Sequence, residues 1–408
     1  MTNLQKKFFA LLRYSIGSSD AAPLLTFAEL KAMYAMAEKQ SLLGIVLDGV
    51  KAAPMTRLGD DDELPQEGHG IYVRSNEASE YEGFIMTWVG KGMSIAKRNA
   101  KLDKDVGLVF EQLHRDGFKA CLLKGQGNAR MYPNPSARTS GDIDVWCQPR
   151  REEDDSRKGM ISDEDVRAVI SYVRRKSKKA SAIYHHVDGL RCDGVEVEAH
   201  YRPHFMLNFR YNRMLQQYFA EHAEEQFHHI VEIGGNAVAV PTVEFNIVFQ
   251  LSHVYQHLFH EGIGMRQVVD YYYLVASLLT SPPNGRGIIE VEHYSGGKTM
   301  AGTLRWLGLE KIGGAVMWIL VNVLGMDERL AIVEPDERRG RFVLNEILEG
   351  GNFGKFDQRA MSGTYASPLK ANIQRLVRDA RLLRYFPSEA LWEPWFRTWH
   401  FFWRWRHR

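Results

Sequence analysis

Cysteine is scarce in this sequence, and its scarcity removes one class of fold. Only three cysteines, Cys121, Cys147 and Cys192, occur among 408 residues, and no two of them have C-x-x-C spacing. This count disfavours both a disulfide framework and a cysteine-rich zinc site. We therefore expect a protein of the reducing cytoplasm, with its three thiols packed in the interior.

An excess of charge of either sign is also missing. The chain has 52 Lys and Arg against 50 Asp and Glu, so no global charge argues for a polyanion as partner. No stretch approaches the ~20 apolar residues that a membrane-spanning helix needs, and the apolar run 8–12 is too short for a secretory signal. With 45% apolar and 25% charged residues, the chain has the composition of a soluble globular protein of two or three domains.

Hydrophobic periodicity divides the chain into three regions. Helices are predicted up to about residue 55 and again over 77–115, with a charged loop at 57–65 between them. After residue 117 the pattern changes to short apolar runs. The predicted regions are an N-terminal helical region at 1–100, a mixed α/β core at 101–240 and a C-terminal helical region at 241–408. The fold class that this order predicts is α+β, a small mixed sheet with helical flanks.

The core region carries strand and helix signals in alternation. Ser162 opens a capping box for a helix that ends in the basic run 174–179, which is either a solvated helix end or a nucleic-acid contact. Asp-Gly pairs at 188–189 and 193–194 are typical of hairpin turns. The Gly/Pro-rich segment 281–285 interrupts the helical pattern that follows the core. Strands are predicted at 118–123, 142–147, 183–187 and 195–201.

Asp142-Ile143-Asp144 is the motif that indicates chemistry. In a strand the period of two places both carboxylates on one face, and two like charges this close are unfavourable unless a cation lies between them. Oxygen ligands of this kind suit Mg²⁺ or Mn²⁺, which take further oxygens from substrate phosphates. The motif therefore predicts phosphoryl or nucleotidyl transfer, with a solvated strand face as the alternative.

Two further signals support a phosphate-handling site. Glu196, Glu198 and His200 share one face of the strand at 195–201, so either glutamate can complete a cluster of acids. Upstream, an apolar strand runs into Lys124-Gly125-Gln126-Gly127, a glycine turn in which backbone N–H groups can hold phosphate oxygens.

Several motifs in a fixed order resemble a known family. They are Leu122-Leu123-Lys124-Gly125, Met131-Tyr132-Pro133, 138–145 and 197–202. In this order they are similar to poorly characterised bacterial nucleotidyltransferases of the DNA polymerase beta superfamily, over roughly residues 100–275. The resemblance implies a nucleotidyltransferase core in which Asp142, Asp144 and Glu198 are the metal ligands, with Glu196 as the second choice for the third acid.

The resemblance also implies a mechanism and its partners. A nucleoside monophosphate would move from an NTP to an unknown acceptor, either a small molecule, RNA or protein, by a two-metal mechanism with Mg²⁺ or Mn²⁺. Asp142, Asp144 and Glu198 are the predicted catalytic residues, and Glu198 lies nearest the attacking oxygen. The predicted nucleotide-binding residues are Lys124, Gly125, Gln126, Arg138 and Ser140. For Lys124 a solvated strand end is the alternative, and for Arg138 a structural pair with an acid.

Two other functions stay open. The superfamily motif follows its glycine with a small residue, whereas this chain has Gln126, and this difference motivates a catalytically silent member that binds a nucleotide or a partner. The basic run 174–179, together with a C-terminal tryptophan and arginine stripe, motivates an RNA-binding adaptor. That stripe comprises Trp392, Trp395, Trp399, Trp403, Arg397, Arg404, Arg406 and Arg408. It is predicted to be either a helix docked on its own domain or a peripheral membrane or RNA contact.

Helical polar residues near the core are the last candidates. His253 and His257 share a helical face, with His260 one turn further, but the glutamate of H-E-x-x-H is absent, so a zinc-protease site is excluded. A contact with the substrate or with a carboxylate is one interpretation of these histidines, and a polar core is the other. Arg266 and Asp270 are similarly predicted either to approach the site or to form a structural ion pair.

Overall fold

The computed structural model describes residues 1–150, 161–192, 194–280, 299–355 and 368–407. Asp193 of the predicted hairpin turn, the break at 281–285 and Arg408 of the tryptophan stripe therefore lie outside the described residues. About 60% of the chain is helical and the sheets are small and mixed, which confirms the predicted α+β fold class.

The N-terminal region combines helices with a small parallel sheet. Its helices are α1 (Asn3–Ser15), α2 (Phe27–Lys39), α3 (Leu43–Ala52) and α4 (Ala78–Arg115). Its strands are β1 (Leu24–Thr26), β2 (Met55–Leu58) and β3 (Gly70–Arg74), which pair in parallel in the order β1-β3-β2. The helices match the predicted spans, whereas the sheet was not predicted because three to five residues are too few to show a period of two.

Helix α4 joins this region to the core. It is 38 residues long and passes through residue 100, the predicted boundary between the first two regions. Near its beginning Trp88 is fully buried and donates its indole N–H to the carbonyl oxygen of Leu43 at 3.0 Å. Further along, the helix packs against the core sheet. The two regions thus share one continuous element.

The core sheet has five strands with one parallel pair at its centre. The strands are β4 (Phe118–Leu122), β5 (Ile143–Pro149), β6 (Ser181–Ala182), β7 (His186–Cys192) and β8 (Val195–His200). Their order is β4-β5-β8-β7-β6, and only β5 and β8 run parallel. Between the strands lie the short helix α5 (Gln126–Ala129) and α6 (Asp163–Lys176), which begins at the Ser162 capping box. The predicted helix and the strands predicted at 118–123, 142–147 and 195–201 are present with small shifts at their ends. The strand predicted at 183–187 is displaced to His186–Cys192, so the Asp188-Gly189 pair lies within β7, at an irregularity of its register, and the turn to β8 contains Gly194.

Helices cover the sheet and bury β5, the second strand in its order. Trp146 on β5 is fully buried, and its ring lies 4.7 Å from that of Phe227 and 5.8 Å from that of Phe245, measured between centroids. These partners belong to α7 (Phe209–His228) and α8 (Val243–His260), which are separated by the hairpin of β9 (Ile230–Ile233) and β10 (Asn236–Ala239). The thiols of Cys121, Cys147 and Cys192 are buried, as the sequence predicts.

The C-terminal region is helical where it is described. Its helices are α9 (Met265–Thr280), α10 (Met300–Trp306), α11 (Glu310–Asn322), α12 (Glu337–Gly350), α13 (Pro368–Leu383), α14 (Pro387–Ala390) and α15 (Glu393–Arg406). Within the described part of the chain, none of the helices combines the length and the apolar character that crossing a bilayer requires.

Helix α15 divides the tryptophan stripe between two faces. On one face Phe396 stacks on Phe205 at 4.9 Å, and Trp403 is 9% exposed beside Tyr184. On the other face Trp395 and Trp405 are 68% and 70% exposed. The docked helix of the first interpretation is therefore present, but half of its aromatic rings face outward.

Candidate functional site

Two carboxylates lie side by side at the centre of the core sheet. Because β5 and β8 are parallel neighbours, their register pairs Asp144 with Glu198. Side chains of paired residues emerge on the same face of a sheet. Asp144 is buried, with 3% of its side chain exposed, whereas 29% of the Glu198 side chain is exposed. The pair thus has one enclosed acid and one accessible acid.

Asp144 is held by two cationic or donor groups. Lys124 Nζ lies 2.8 Å from its Oδ1, and His200 Nε2 lies 3.2 Å from the same oxygen. Burial raises the pKa of Asp144, but the charge of Lys124 and the hydrogen bond from His200 outweigh burial, so the net shift is downward. Asp144 is therefore an anion at neutral pH.

Glu198 is shifted in the opposite direction. Burial raises its pKa, and the neighbouring charge of Asp144 adds to that rise, although the hydrogen bond from His200 opposes it. His200 Nε2 lies 3.5 Å from Glu198 Oε2. Two adjacent acids whose pKa values are pushed apart are suited to different roles. Of the two, Glu198 is the better proton acceptor.

Asp142 lies at the rim of the site. It comes directly before β5 and is exposed, so the alternation of the strand does not extend to it. Its charge acts on Lys124 and on Arg266, and it lines the same cleft as Glu198. The structure thus brings Asp144 and Glu198 together and leaves Asp142 at the mouth of the cleft.

Glu196, the second choice for the third acid, lines the same cleft as Glu198 but lies outside the cluster around Asp144. It is exposed on β8, and its side chain lies 3.9 Å from Arg191. In the described residues Glu196 belongs to none of the groups of ligand atoms that lie close enough together to hold a metal. Glu198 is therefore the glutamate that the fold presents to Asp144.

The turn after β4 positions Lys124. Gly125 has a φ of +64°, a left-handed conformation that favours glycine, and it lets the chain enter α5 directly. Lys124 Nζ also lies 3.1 Å from His253 Nε2 on α8. Burial lowers the pKa of Lys124, but the charges of Asp144 and Glu198 outweigh it and raise the pKa, so the amine stays protonated.

Gln126 and Ser140 are bound within the protein. Gln126 is 5% exposed, and its Nε2 donates to Asp103 Oδ1 on α4 at 2.5 Å. Ser140 Oγ lies 2.6 Å from both Gln126 Oε1 and Asn99 Oδ1, and its single proton can go to either. These contacts tie the glycine turn and the loop before β5 to α4. Both side chains are therefore engaged internally.

Arg138 forms a buried ion pair. Its Nε and Nη2 donate to the two carboxylate oxygens of Asp270 on α9, each at 2.7 Å, and Tyr132 Oη donates to Asp270 at 2.5 Å. Burial raises the pKa of Asp270, but the charge of Arg138 outweighs it, so the pKa is lowered. Arg266 Nη1 donates to the carbonyl oxygen of Thr139 at 2.7 Å. Arg138 thus forms the structural ion pair that was the alternative to a nucleotide contact.

A cleft of about 730 Å³ is lined by Asp142 and Glu198, and Asp144 lies outside its lining. This volume is in the range of small-molecule sites. Its walls come from α4, the loop before β5, the β7–β8 hairpin and the segment after α12. The cationic side chains on these walls are Arg98, Lys101, Arg266 and Lys355. A larger cavity of about 890 Å³ between α7 and α15 is lined by none of the predicted site residues, so we assign the chemistry to the cleft.

A comparison with protein families identifies the family of the chain. A family described as uncharacterised nucleotidyltransferase matches residues 28–284. The chain belongs to this family. The match includes β4, β5, β8 and α8, and it ends before Lys355 of the cleft wall. No curated protein and no solved structure matched the chain.

The donor set of this nucleotidyltransferase fits a divalent cation. Asp144, Glu198 and His200 each offer one ligand atom within 4.8 Å of the others. Carboxylate oxygens suit Mg²⁺ and Mn²⁺, and an imidazole nitrogen also suits transition metals. Lys124 provides positive charge at Asp144, where two acids meet. A cation among these residues therefore agrees with their chemistry.

Histidines contribute more to this nucleotidyltransferase site than the sequence predicts. His253 Nε2 lies 3.0 Å from His257 Nε2 on the next turn of α8 and also contacts Lys124. His185 and His186, at the beginning of β7, lie against His200. The sequence did indicate His200, because strand alternation places it on the same face of β8 as Glu198. No local sequence pattern predicts the contacts of the other histidines.

Proposed function

We propose that this protein transfers a nucleoside monophosphate from an NTP to a hydroxyl group of an acceptor, with Mg²⁺ or Mn²⁺ held by Asp142, Asp144 and Glu198. The pairing of Asp144 with Glu198 beside the Lys124-Gly125 turn carries this proposal. A bound divalent ion would neutralise the triphosphate and the developing negative charge.

The residues of the chain have distinct parts in the proposed transfer. Glu198 accepts the proton of the acceptor hydroxyl, because its pKa is raised and its side chain is open to the cleft. The acceptor oxygen then attacks the α-phosphorus, the bond between that phosphorus and the bridging oxygen of the β-phosphate breaks, and pyrophosphate leaves. Lys124 and the backbone at Gly125 hold phosphate oxygens.

The remaining predicted nucleotide-binding residues hold the turn and the loop that line the cleft. Gln126 and Ser140 fix the glycine turn and the loop before β5 to α4. Arg138 fixes the same loop to α9 through Asp270. We propose that these three side chains shape the phosphate side of the cleft, while Arg98 and Arg266 supply its positive charge.

Nucleotide binding tests the proposal directly. Wild-type protein and the Asp142→Ala plus Asp144→Ala variant are titrated with each NTP in the presence of Mg²⁺, and we expect the variant to lose binding. Glu198→Ala and Glu196→Ala form a matched pair on one strand, and only Glu198→Ala should abolish turnover. Equal nucleotide binding by the wild type and the double variant would contradict the proposal. Incubation with labelled NTPs and a cell extract then identifies the acceptor as a small molecule, RNA or protein.

A catalytically silent member is the second candidate. Lys124 already neutralises Asp144, and the amide of Gln126 is engaged by Asp103 and Ser140. In this case the protein binds an NTP but transfers no label to any component of the extract. Labelled product that depends on Asp144 excludes this candidate.

An RNA contact is favoured by one further observation. Arg174 at the end of α6 donates to the carbonyl oxygen of His407 beside the end of α15, so the two basic segments singled out in the sequence are neighbours. Arg175, Lys178 and Arg404 are exposed around this contact. The protein would here bind RNA through phosphate contacts and through outward aromatic rings such as Trp405.

Salt-dependent binding tests the RNA contact. Arg175→Glu plus Lys178→Glu should weaken binding of a labelled single-stranded RNA and reduce the slope of log K against log salt by about 2. Lys91→Glu plus Lys311→Glu makes the same charge change at exposed positions on α4 and α11 and should have a smaller effect. Absence of RNA binding at low salt removes this candidate.

A further inference from the structure

Three imidazoles meet beside the carboxylates. His185 precedes β7, His186 begins it and His200 ends β8, and all three are buried. One ring nitrogen of each lies within 4.8 Å of a nitrogen of the other two. We name these residues the imidazole cluster. The proposed transfer uses only one of its contacts, the hydrogen bond between His200 and Asp144.

The spacing within the cluster matches that of metal ligands. His185 Nε2 lies 3.0 Å from His186 Nδ1. Two imidazole nitrogens on a tetrahedral zinc ion, each about 2.0–2.1 Å from the metal, are separated by about 3.3 Å. A small movement of two side chains therefore brings both nitrogens onto one ion.

Carboxylates orient two of the three rings. His186 Nε2 lies 3.1 Å from Asp188 Oδ1, and His200 Nε2 lies 3.2 Å from Asp144 Oδ1. Histidines that bind metals commonly donate their other ring N–H to a carboxylate, which fixes the tautomer and makes the ligand nitrogen more basic. In both rings this contact leaves Nδ1 as the nitrogen available to a metal.

His200 has an unused nitrogen in the protein interior. Its Nδ1 is buried and has no hydrogen-bond partner in the part of the chain that is described. Buried polar atoms are nearly always paired, so an atom of this kind calls for an explanation. A metal ion at Nδ1 provides one, since Nε2 remains bonded to Asp144.

We propose that His185, His186 and His200 bind one transition-metal dication of the zinc class. Imidazole ligands select Zn²⁺ and its neighbours Co²⁺ and Ni²⁺ over Mg²⁺, which requires oxygen ligands. The imidazole cluster is thus a second metal site, joined through His200 and Asp144 to the carboxylate pair but not required for nucleotide binding. The proposal stands whether or not the protein transfers nucleotides.

Metal titration of the full-length protein tests the proposal. Zn²⁺ is titrated against a competing chelator, and Co²⁺ is followed by its visible absorption. We expect one Zn²⁺ per chain, and for His185→Gln plus His186→Gln an affinity lower by at least about 100-fold. His222→Gln plus His229→Gln is the matched control, because both side chains bond to backbone carbonyl oxygens elsewhere. This control should bind Zn²⁺ as the wild type does.

Two outcomes would overturn the proposal. Unchanged Zn²⁺ affinity in His185→Gln plus His186→Gln overturns the proposal. Loss of Zn²⁺ in Asp144→Ala plus Glu198→Ala, with retention in the histidine variant, overturns it as well, because the ion then occupies the acids. Circular dichroism shows whether each variant folds. If the double variant does not fold, His186→Gln alone replaces it in the zinc titration. Titration with an NTP and Mg²⁺ on the same samples reports on the proposed transfer separately.

Discussion

Lys124 is the residue on which the electrostatics of the carboxylate pair depend. Its amine is 2.8 Å from Asp144, an acid with 3% of its side chain exposed. Breaking a buried pair by removing one partner leaves an uncompensated charge and costs about 3–5 kcal/mol. A cation that binds the acids would replace the lost charge. Lys124 and the proposed metal would thus neutralise the same acid.

We expect Lys124→Gln to lower the free energy of unfolding by about 3 kcal/mol. Millimolar Mn²⁺ should recover more of this loss than it adds to the wild type, because a ligand stabilises the state that binds it. Urea unfolding with and without Mn²⁺ measures both effects. Lys119→Gln, on the strand that leads to Lys124, is the control, since its pair with Glu224 is partly exposed and contributes less than about 1 kcal/mol. Equal responses of both variants to Mn²⁺ would argue against a metal at Asp144.

At the scale of residues, the sequence predicts what is local. Asp144 and Glu198 were found because strand alternation and motif order act over a few residues. The partner of Arg138 could not be assigned, since Asp270 is 132 positions away and only the packing of α9 brings it near. The internal bonds of Gln126 also depend on a distant helix. The roles of the individual site residues remain predictions.

At the scale of elements, α15 has one face that stabilises the fold and one that does not. We expect Trp403→Ala to lower the free energy of unfolding by about 3 kcal/mol, because it empties a buried site beside Tyr184. Trp405→Ala is the matched control two residues along, and it should change stability by less than about 0.5 kcal/mol because Trp405 is 70% exposed. Chemical denaturation measures both. Similar losses in the two variants would show that the outward face is covered.

Helix α14 is linked to the core by an acid whose protonation favours folding. Glu389 Oε2 accepts hydrogen bonds from the backbone N–H groups of Leu207 and Asn208 at 2.6 and 3.3 Å. Burial raises the pKa of Glu389 from its usual 4.5 to about 7, although these hydrogen bonds oppose the rise. The folded state therefore holds a proton that the unfolded state releases between these two pH values.

The sign of the resulting pH dependence follows from this raised pKa. As the pH rises from about 4.5 to 7, Glu389 removes about 3 kcal/mol of stability. Glu389→Gln keeps the acceptor oxygen and should be more stable than the wild type at pH 8, with the advantage shrinking toward pH 4.5. The free energy of unfolding is measured with urea at several pH values for the variant and the wild type. The difference between the two proteins isolates Glu389, because the other titrating groups contribute equally to both. A difference that does not change with pH would contradict the assignment.

Elements of ordinary length were predictable and short ones were not. The capping box at Ser162 and the apolar runs of the core predict α6, β4 and β5 because each contains a full period of its pattern. The sheet of β1, β2 and β3 depends on pairing between distant segments. Its strands carry no pattern of their own, so only the fold reveals it.

At the scale of the whole molecule, the core region depends on its flanks. Trp146 is covered by Phe245 from α8, and the loop before β5 is held by Asn99 from α4. The fold class was predictable from the order of helix and strand patterns. The coverage of the sheet was not, because it depends on helices beyond both predicted boundaries of the core.

We therefore expect a fragment of residues 101–240 to remain unfolded. It lacks both Phe245 and Asn99, so Trp146 keeps Phe227 but loses the ring that stacks on it from α8. Near-ultraviolet circular dichroism and the tryptophan emission maximum, compared with those of the full chain, measure this outcome. Cooperative unfolding of the fragment would instead establish residues 101–240 as an independent domain.

Helix α4 has a mechanical consequence for the cleft. Its 38 residues form a rod about 57 Å long. Along one stretch of this rod Asp103 holds the glycine turn, Asn99 holds the carbonyl oxygen of Arg138 and Arg98 holds that of Gly141. Both the phosphate side and the entrance at Asp142 are thus fastened to one rigid body and move with it. Movement of the β7–β8 hairpin or of the segment at Lys355 would therefore change the width of the cleft without breaking any of these three contacts.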